Sequence, residues 1–369
     1  MSSPSEVVIV GAGHAGQRLH AYSLLRDSAF RGSVTLYDTD PTKLDPGYFG
    51  SSHPAVAERL TDATRSGRLR YTDSLKEADT PPKILIIATP PGRHLDAYSN
   101  ATSQGQPPVT IFEKVFLAPS ELEEYHKLVD KKRINPDQLI VNETRALSAA
   151  ITPVRKKILE LQKAEGEVLG ASSVMYKYRG SNRFTDDEFG AYGIEATHGI
   201  TALSTFLRLQ MDHTWIRTNQ YGNPGRAGEE WTFTTFRRPR GAFDVAVAQG
   251  LGRFTIDEAG TRTPDQNPGI VRITEIILSN GIIRVQFDPL NRKTDPQADP
   301  LSTKVSYHNP DGEEISKMYI PDDTVRTLHR GAARLTNGHP SRLHPNTRPT
   351  YALAQAELLG HLHQTADRV

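Results

Sequence analysis

The chain reads as an α/β protein in two parts: a doubly wound parallel sheet, followed by an α+β domain on a mainly antiparallel, open sheet. Three observations carry this. Residues 6–142 alternate short apolar runs with helical stretches, the pattern of parallel strands joined by crossover helices. Beyond residue 151, two helical stretches (about 151–165 and 192–209) give way to a succession of strand-like runs without intervening helices. Asn280-Gly281 separates two of those runs, a strong short-range hairpin signal. A length of 369 residues suits two domains of about 100–200 residues each. The change of pattern puts the boundary between 1–145 and 146–369.

The first strand, 7–10, runs into Gly11-Ala12-Gly13-His14-Ala15-Gly16, and a helical pattern starts at once. This G-x-G-x-x-G spacing between strand and helix predicts a Rossmann-type dinucleotide site. Gly11 permits the tight turn, Gly13 lets backbone approach a pyrophosphate, and Gly16 lets the helix pack closely on the strand. Backbone N–H groups at the helix start, around His14 and Ala15, then face the phosphates with the favourable end of the dipole. The second strand, 34–37, ends in Asp38, 22 positions after Gly16. A carboxylate there accepts from ribose hydroxyls and repels a 2′-phosphate, and no arginine follows directly, so NAD is expected ahead of NADP. The third apolar run, 84–88, ends in Thr89-Pro90-Pro91, with His94 just beyond. Two prolines fix the backbone and remove donors, so this turn can line a flat cofactor, and His94 can bind that cofactor or cap the next helix. The runs 109–113 and 139–142 complete the sheet. The first leads into Glu113-Lys114, by itself an ordinary charge pair, and Arg145 follows the second.

In the second part, strand-like runs are expected at 170–178, 231–236, 242–248, 253–257, 271–278, 282–287 and 304–307, with helices near 322–336 and 350–366. The polar loop 180–187, which contains Arg183, precedes the 192–209 helix and is expected to help form a substrate pocket. Such a sheet, helix-covered on one face, leaves the other to a partner, which predicts a homodimer or homotetramer through the open sheet.

Composition narrows the partners. Forty-four basic against 43 acidic residues give a net charge of +1, which suggests neither a nucleic acid nor a membrane surface as partner. There are no cysteines, which removes disulfides, thiolate metal sites and cysteine nucleophiles. Thirteen histidines without ligand-like spacing make a metal site unexpected. No apolar signal segment precedes the first strand and no run approaches 18 apolar residues, so a cytoplasmic protein is expected.

Together the glycine fingerprint, Ala88-Thr89-Pro90-Pro91-x-x-His94, Glu113-Lys114 and a histidine-bearing helix before an antiparallel sheet resemble the Gfo/Idh/MocA oxidoreductases along the whole chain. Members carry E-K-P where this chain has Glu113-Lys114-Val115. The resemblance implies that Lys114 lies beside the nicotinamide and binds the substrate hydroxyl, where it can polarise or help deprotonate an alcohol, with Glu113 in the cofactor site. Members also carry D-x-G-x-H at the helix entering the second domain. Here His198 matches, Ile194 stands in the aspartate position, and Glu195 is the nearby carboxylate. In a helix Glu195 and His198 share a face, so His198 is expected as general acid or base with Glu195 orienting it or touching substrate. Arg145 and Arg183 are the further substrate candidates. The implied activity is hydride transfer between a nicotinamide and a secondary alcohol or ketone of a sugar or cyclitol. The alternatives are an imine or small-carbonyl reductase of a biosynthetic pathway, a non-catalytic NAD-binding regulator, and redox-neutral chemistry through a tightly held NAD.

Overall fold

A computed structural model describes residues 6–48, 50, 53–75, 81–103, 105–178, 196–208, 215–222, 229–238, 241–250, 255–256, 262–263, 270–287, 302–365 and 367–368. The chain forms two compact units: Met1–Leu147 with Thr324–Ala356, and Ser148–Asp323 with Glu357–Val369. Residues 324–356, which the sequence pattern assigns to the second domain, therefore pack with the first.

The first unit holds β1 (Val7–Val10), α1 (Tyr22–Arg26), β2 (Val34–Tyr37), α2 (Pro54–Arg65), β3 (Leu69–Thr72), β4 (Ile84–Ile87), α3 (His94–Ala101), β5 (Val109–Phe112), α4 (Leu122–Asp130) and β6 (Leu139–Val141). The second begins with α5 (Ile151–Lys163), β7 (Val168–Tyr178) and α6 (Thr197–Leu207). It continues through β8 (Trp215–Gly222), β9 (Glu229–Arg238), β10 (Gly241–Gly250), β11 (Thr255–Ile256), β12 (Arg262–Thr263), β13 (Ile270–Leu278), β14 (Gly281–Phe287), β15 (Ser302–His308) and β16 (Glu314–Pro321). Then α7 (Thr324–Thr336) returns to the first unit, and α8 (Pro349–Thr365) and β17 (Asp367–Arg368) end the chain.

In the first unit the strands form a six-stranded parallel sheet in the order β3-β2-β1-β4-β5-β6. Strand periodicity divides its apolar side chains between two layers. Val7, Ile9, Leu36, Ile86 and Ile111 pack with α1, α2 and, through Leu328 and Ala332, with α7. Val8, Val10, Leu85, Ile87 and Phe112 face the other way, onto α3, α4 and the start of α8. Covering both faces explains why these strands read as unbroken apolar runs. β3 was not foreseen; it is an edge strand in which only Leu69 is buried.

The second unit is built on a nine-stranded sheet, β16-β15-β14-β13-β7-β10-β9-β8-β17. It is antiparallel except for the β7–β10 and β8–β17 pairs. α5 and α6 pack on one face, over Ala171, Met175, Ile276, Ile283, Val285 and Val305, with Ser173 and Thr274 hydroxyls 2.9 Å apart among them. The opposite face carries exposed Val174 and Ile277 and the 2.6 Å Arg284–Glu275 ion pair. The 279–280 hairpin joins β13 to β14. Gly281 is already in β14, opposite Leu278, so Ser279 and Asn280 make the turn instead of Asn280-Gly281. The strand expected at 253–257 is β11, which pairs with β12 in a separate two-stranded sheet. β8 and β16 were not anticipated, and the loop expected at 180–187 lies outside the described residues. Among the described residues no helix is long and apolar enough to cross a membrane.

Candidate functional site

At the end of β1 the three glycines have three distinct environments. Gly11 adopts φ +104°, and a Cβ there would lie 2.7 Å from the Ala88 carbonyl oxygen. A Cβ on Gly16 would lie 1.8 Å from the Gly11 carbonyl oxygen and 3.4 Å from Ile9. A Cβ on Gly13 meets nothing within 4 Å. The outer two are thus required by packing. The middle one leaves an open approach to the backbone at the N-terminus of the following helix, a π-wound segment His14–Ala21 that continues as α1. Such a cradle fits a dinucleotide pyrophosphate. His14 and Ala15 sit half-buried in its first turn, and His14 Nε2 accepts from the Arg18 guanidinium at 2.6 Å.

Asp38 closes the neighbouring wall. One carboxylate oxygen accepts from the Ala12 amide at 2.8 Å and the other from the Asp40 amide at 2.9 Å, tying the end of β2 to the glycine turn. The fold also brings Lys43 to 3.9 Å from Asp38 and 3.4 Å from Asp40, a cation beside the end of β2 that the sequence around Asp38 did not suggest. Gln17, fully buried, donates to the carbonyls of Ala12 (2.8 Å) and Lys43 (2.7 Å) and accepts from the Tyr71 hydroxyl at 3.2 Å. It braces the glycine turn against the loop after β2. Sequence reading passed over it, although an amide directly after G-x-G-x-x-G is well placed for this role.

The ends of β4 and β5 come together through two further buried groups. His94, the first residue of α3, points Nδ1 at the Phe116 carbonyl (2.7 Å) and Nε2 at the Thr89 carbonyl (2.8 Å). It caps nothing, and both ring nitrogens are engaged inside the protein. The cap of α3 is Glu121, whose carboxylate accepts from the amides of Gly92, Leu95 and Ala118 at 2.9–3.0 Å. His94 and Glu121 therefore lock the Thr89-Pro90-Pro91 turn to the segment after Lys114. Pro90 is exposed, with Thr89, Pro91 and Lys114 half-buried. The Lys114–Val115 peptide bond is cis.

Glu113 is buried. Its Oε1 accepts from Asn142 Nδ2 and from His20 Nε2, both at 2.6 Å. His20 Nδ1 in turn lies 2.9 Å from His329 Nε2 on α7. Burial opposes the charge on Glu113, but the His20 and Asn142 contacts and the Lys114 ammonium outweigh it and hold the carboxyl below its ordinary value. Burial pushes His329 well below the ordinary imidazole value, so its ring is neutral. Neither His20 nor His329 was singled out from sequence. Direct contacts this short leave no room for an ion, and among the described residues no group of three or more His, Cys, Asp or Glu could hold a metal.

Arg145 is buried in the turn Thr144–Leu147, against which α7 packs. In the second unit, His198 is buried near the start of α6, a helix buried throughout 197–206. Arg183 and Glu195 lie outside the described residues.

No protein-family model matches the chain, and no curated protein does. Several solved structures resemble it from end to end. A 3-ketoreductase from Actinomadura kijaniata in complex with NADP aligns with a TM-score of 0.65 at 12% identity, covering 100% of this chain and 99% of that one. An oxidoreductase from Agrobacterium radiobacter, in complex with NAD+, L-tartaric acid and magnesium, aligns at 0.61 and 16% identity over 99% and 96% of the two chains. A dehydrogenase from Chromobacterium violaceum gives 0.64 and 15% over 99% and 96%. At these identities the likeness is one of fold: a Rossmann-type parallel sheet followed by a large, mainly antiparallel one.

Proposed function

We propose that the protein is a nicotinamide-dependent oxidoreductase of the Gfo/Idh/MocA type, acting on a secondary alcohol or ketone of a sugar or cyclitol. The observation that carries this reading is the glycine cradle, in which Gly11 and Gly16 are closed by packing while Gly13 stays open at a helix start beside Asp38. The fold-mates whose structures contain NAD+ or NADP support it. A bound nicotinamide would supply the hydride acceptor or donor. Gly13, His14, Ala15 and Gly16 would hold its pyrophosphate and Asp38 its ribose, with Thr89, Pro90, Pro91 and Glu113-Lys114 at the strand ends beyond. NAD is the proposed cofactor. Lys43 is the residue that could accommodate a 2′-phosphate.

Lys114 is proposed to bind and polarise the substrate oxygen, and His198 to take up or return its proton, with Arg145, Arg183 and Glu195 as substrate contacts. A second reading, reduction of an imine or other small carbonyl compound, is favoured by Val115 and Ile194 at positions where the family carries proline and aspartate. The open face of the second sheet, with Val174 and Ile277 exposed, is proposed as the contact of a homodimer or homotetramer.

The test is calorimetric titration with NAD, NADH, NADP and NADPH, followed by a screen of polyols and ketoses with the form that binds. Lys114→Ala should lower turnover about 10²–10⁴-fold while nucleotide affinity stays within a few-fold. Wild-type turnover in that variant would refute the role given to Lys114. Binding of none of the four nucleotides would refute the whole reading.

A further inference from the structure

The ends of β4 and β5 meet on one imidazole. His94 is the first residue of α3 and has no exposed surface. Its Nδ1 stands 2.7 Å from the Phe116 carbonyl oxygen, on the segment that follows Lys114. Its Nε2 stands 2.8 Å from the Thr89 carbonyl oxygen, in the turn that ends β4. Carbonyl oxygens only accept. A neutral imidazole carries one N–H, so in either tautomer its second nitrogen would aim a lone pair at a carbonyl lone pair, with no exposed surface to offer water instead. Turning the ring over would set carbon atoms against both oxygens. The doubly protonated ring donates to both, and charge-assisted bonds of this kind run to about 2.7–2.9 Å.

We propose that His94 is a buried imidazolium and, in that state, the positioning residue that holds the Thr89-Pro90-Pro91 turn and the Lys114 segment at a fixed spacing. The consequence for activity rests on the proposed function, which assigns the turn to the cofactor and Lys114 to the substrate. Loss of one proton leaves His94 with a single bond, and one of the two strand ends is released from it.

A buried charge persists where it is hydrogen-bonded or paired. Both N–H groups of His94 are used, and Glu121 places a carboxylate at the same joint. It accepts from the amides of Gly92 and Leu95, on either side of His94 in the chain, and of Ala118 beyond Lys114. The other titratable groups on the elements that meet here are few. Arg93 and Asp96, beside His94 in sequence, are exposed, as are Glu123, Glu124, His126, Lys127 and Asp130 of α4. At the end of β5 stand Lys114 and Glu113, the latter bonded to His20 and Asn142. Burial pushes Tyr98 of α3 and Tyr125 of α4 up to about 12, so both stay neutral below pH 10.

The first readout needs neither cofactor nor substrate. The full-length protein is prepared with 15N-labelled histidine and its ring nitrogens are followed by NMR from pH 6 to 10, the His94→Gln spectrum identifying the His94 signals. Both His94 nitrogens should carry hydrogen at pH 7 and give the matched resonances of an imidazolium. One bare nitrogen at pH 7 would overturn the proposal. The second readout separates the two ties. An asparagine amide reaches the place of Nδ1 and a glutamine amide that of Nε2, so His94→Asn keeps the bond to Phe116 and His94→Gln the bond to Thr89. Each should bind NADH about three- to tenfold more weakly than wild type at pH 6. The wild-type advantage should follow the NMR titration, holding while the ring carries both protons and shrinking as one is lost, because a neutral ring also makes only one bond. An advantage that does not track the protonation of His94 would overturn the positioning role. If neither variant folds, the wild-type ring signals, assigned through the bonded backbone, decide alone. Wild-type protein that binds no nucleotide would refute the proposed function and not the imidazolium, which the ring signals read directly.

Discussion

Replacing Gly13 and Gly16 separately by alanine distinguishes a glycine kept open for a ligand from one required by packing. At Gly16 the added methyl would stand 1.8 Å from the Gly11 carbonyl oxygen and 3.0 Å from its carbon. Those are backbone atoms at the turn, so relief requires moving the helix off β1 by an ångström or more. Overpacking of that kind costs about 1–3 kcal/mol. The gain in helix propensity returns at most about 1 kcal/mol. A net loss of about 1–2 kcal/mol corresponds to a midpoint lower by roughly 2–8 °C for a unit of this size. Gly13, in contrast, has φ −75° and ψ −159°, which alanine adopts without strain, and open space where the methyl would go. Gly13→Ala should therefore leave stability unchanged or raise it by about 0.4–1 kcal/mol. It should weaken dinucleotide binding at least tenfold, because the methyl occupies the approach to the pyrophosphate. Thermal melts and calorimetric titration of both variants provide the readout. Gly13→Ala binding with wild-type affinity would refute the placement of the phosphates, and Gly16→Ala as stable as wild type would refute the close packing.

Asp38→Ala removes the acceptor of the Ala12 and Asp40 amides and the carboxylate that excludes a 2′-phosphate; the NADH-to-NADPH affinity ratio should fall at least tenfold by fluorescence titration. His329 is neutral when folded but takes a proton below its ordinary 6.5 when unfolded, so acidification through 6.5 favours unfolding. That single proton contributes about 1.4 kcal/mol per pH unit, and His329→Gln should flatten the loss of stability between pH 6.5 and 5 in urea titrations. The Arg326 guanidinium contacts both oxygens of Asp27 at 2.8 and 3.0 Å. Its side chain is 40% exposed, so Arg326→Ala should cost only about 0.5–1 kcal/mol, a loss that shrinks when urea midpoints are compared at low and high salt.

The glycine turn was legible because its determinants are local: strand, glycines, helix and Asp38 all lie within the first 38 residues. The buried strands were legible for the same reason, since a continuous apolar run survives without knowledge of its partners. β3 was not, because an edge strand with one buried residue carries little periodic signal. Gln17, Glu121 and the Glu113–His20–His329 chain escaped for a different reason. Each is an unremarkable polar residue in its own segment and gains meaning only from partners brought to it by the fold. His94 was conspicuous from its spacing after two prolines, yet its engagement with two carbonyls depends on where Phe116 falls. The allegiance of α7 was equally hidden. Its periodicity identifies a helix, but nothing in it says that Leu328 and Ala332 complete a core begun by Val7 and Ile9.

That last contact bears on how the protein is made. One side of the first sheet is completed by a helix that begins 177 residues after Leu147 (324 − 147), after strands β7–β16 of the second unit have been synthesised. At 5–20 residues per second the gap lasts about 10–40 s, during which His20 lacks its histidine partner and the apolar side chains awaiting α7 face water. A fragment ending at 147 would remain in that state permanently. Isolating the first unit therefore calls for a chain in which residues 324–356 are joined back to it, not for a simple truncation.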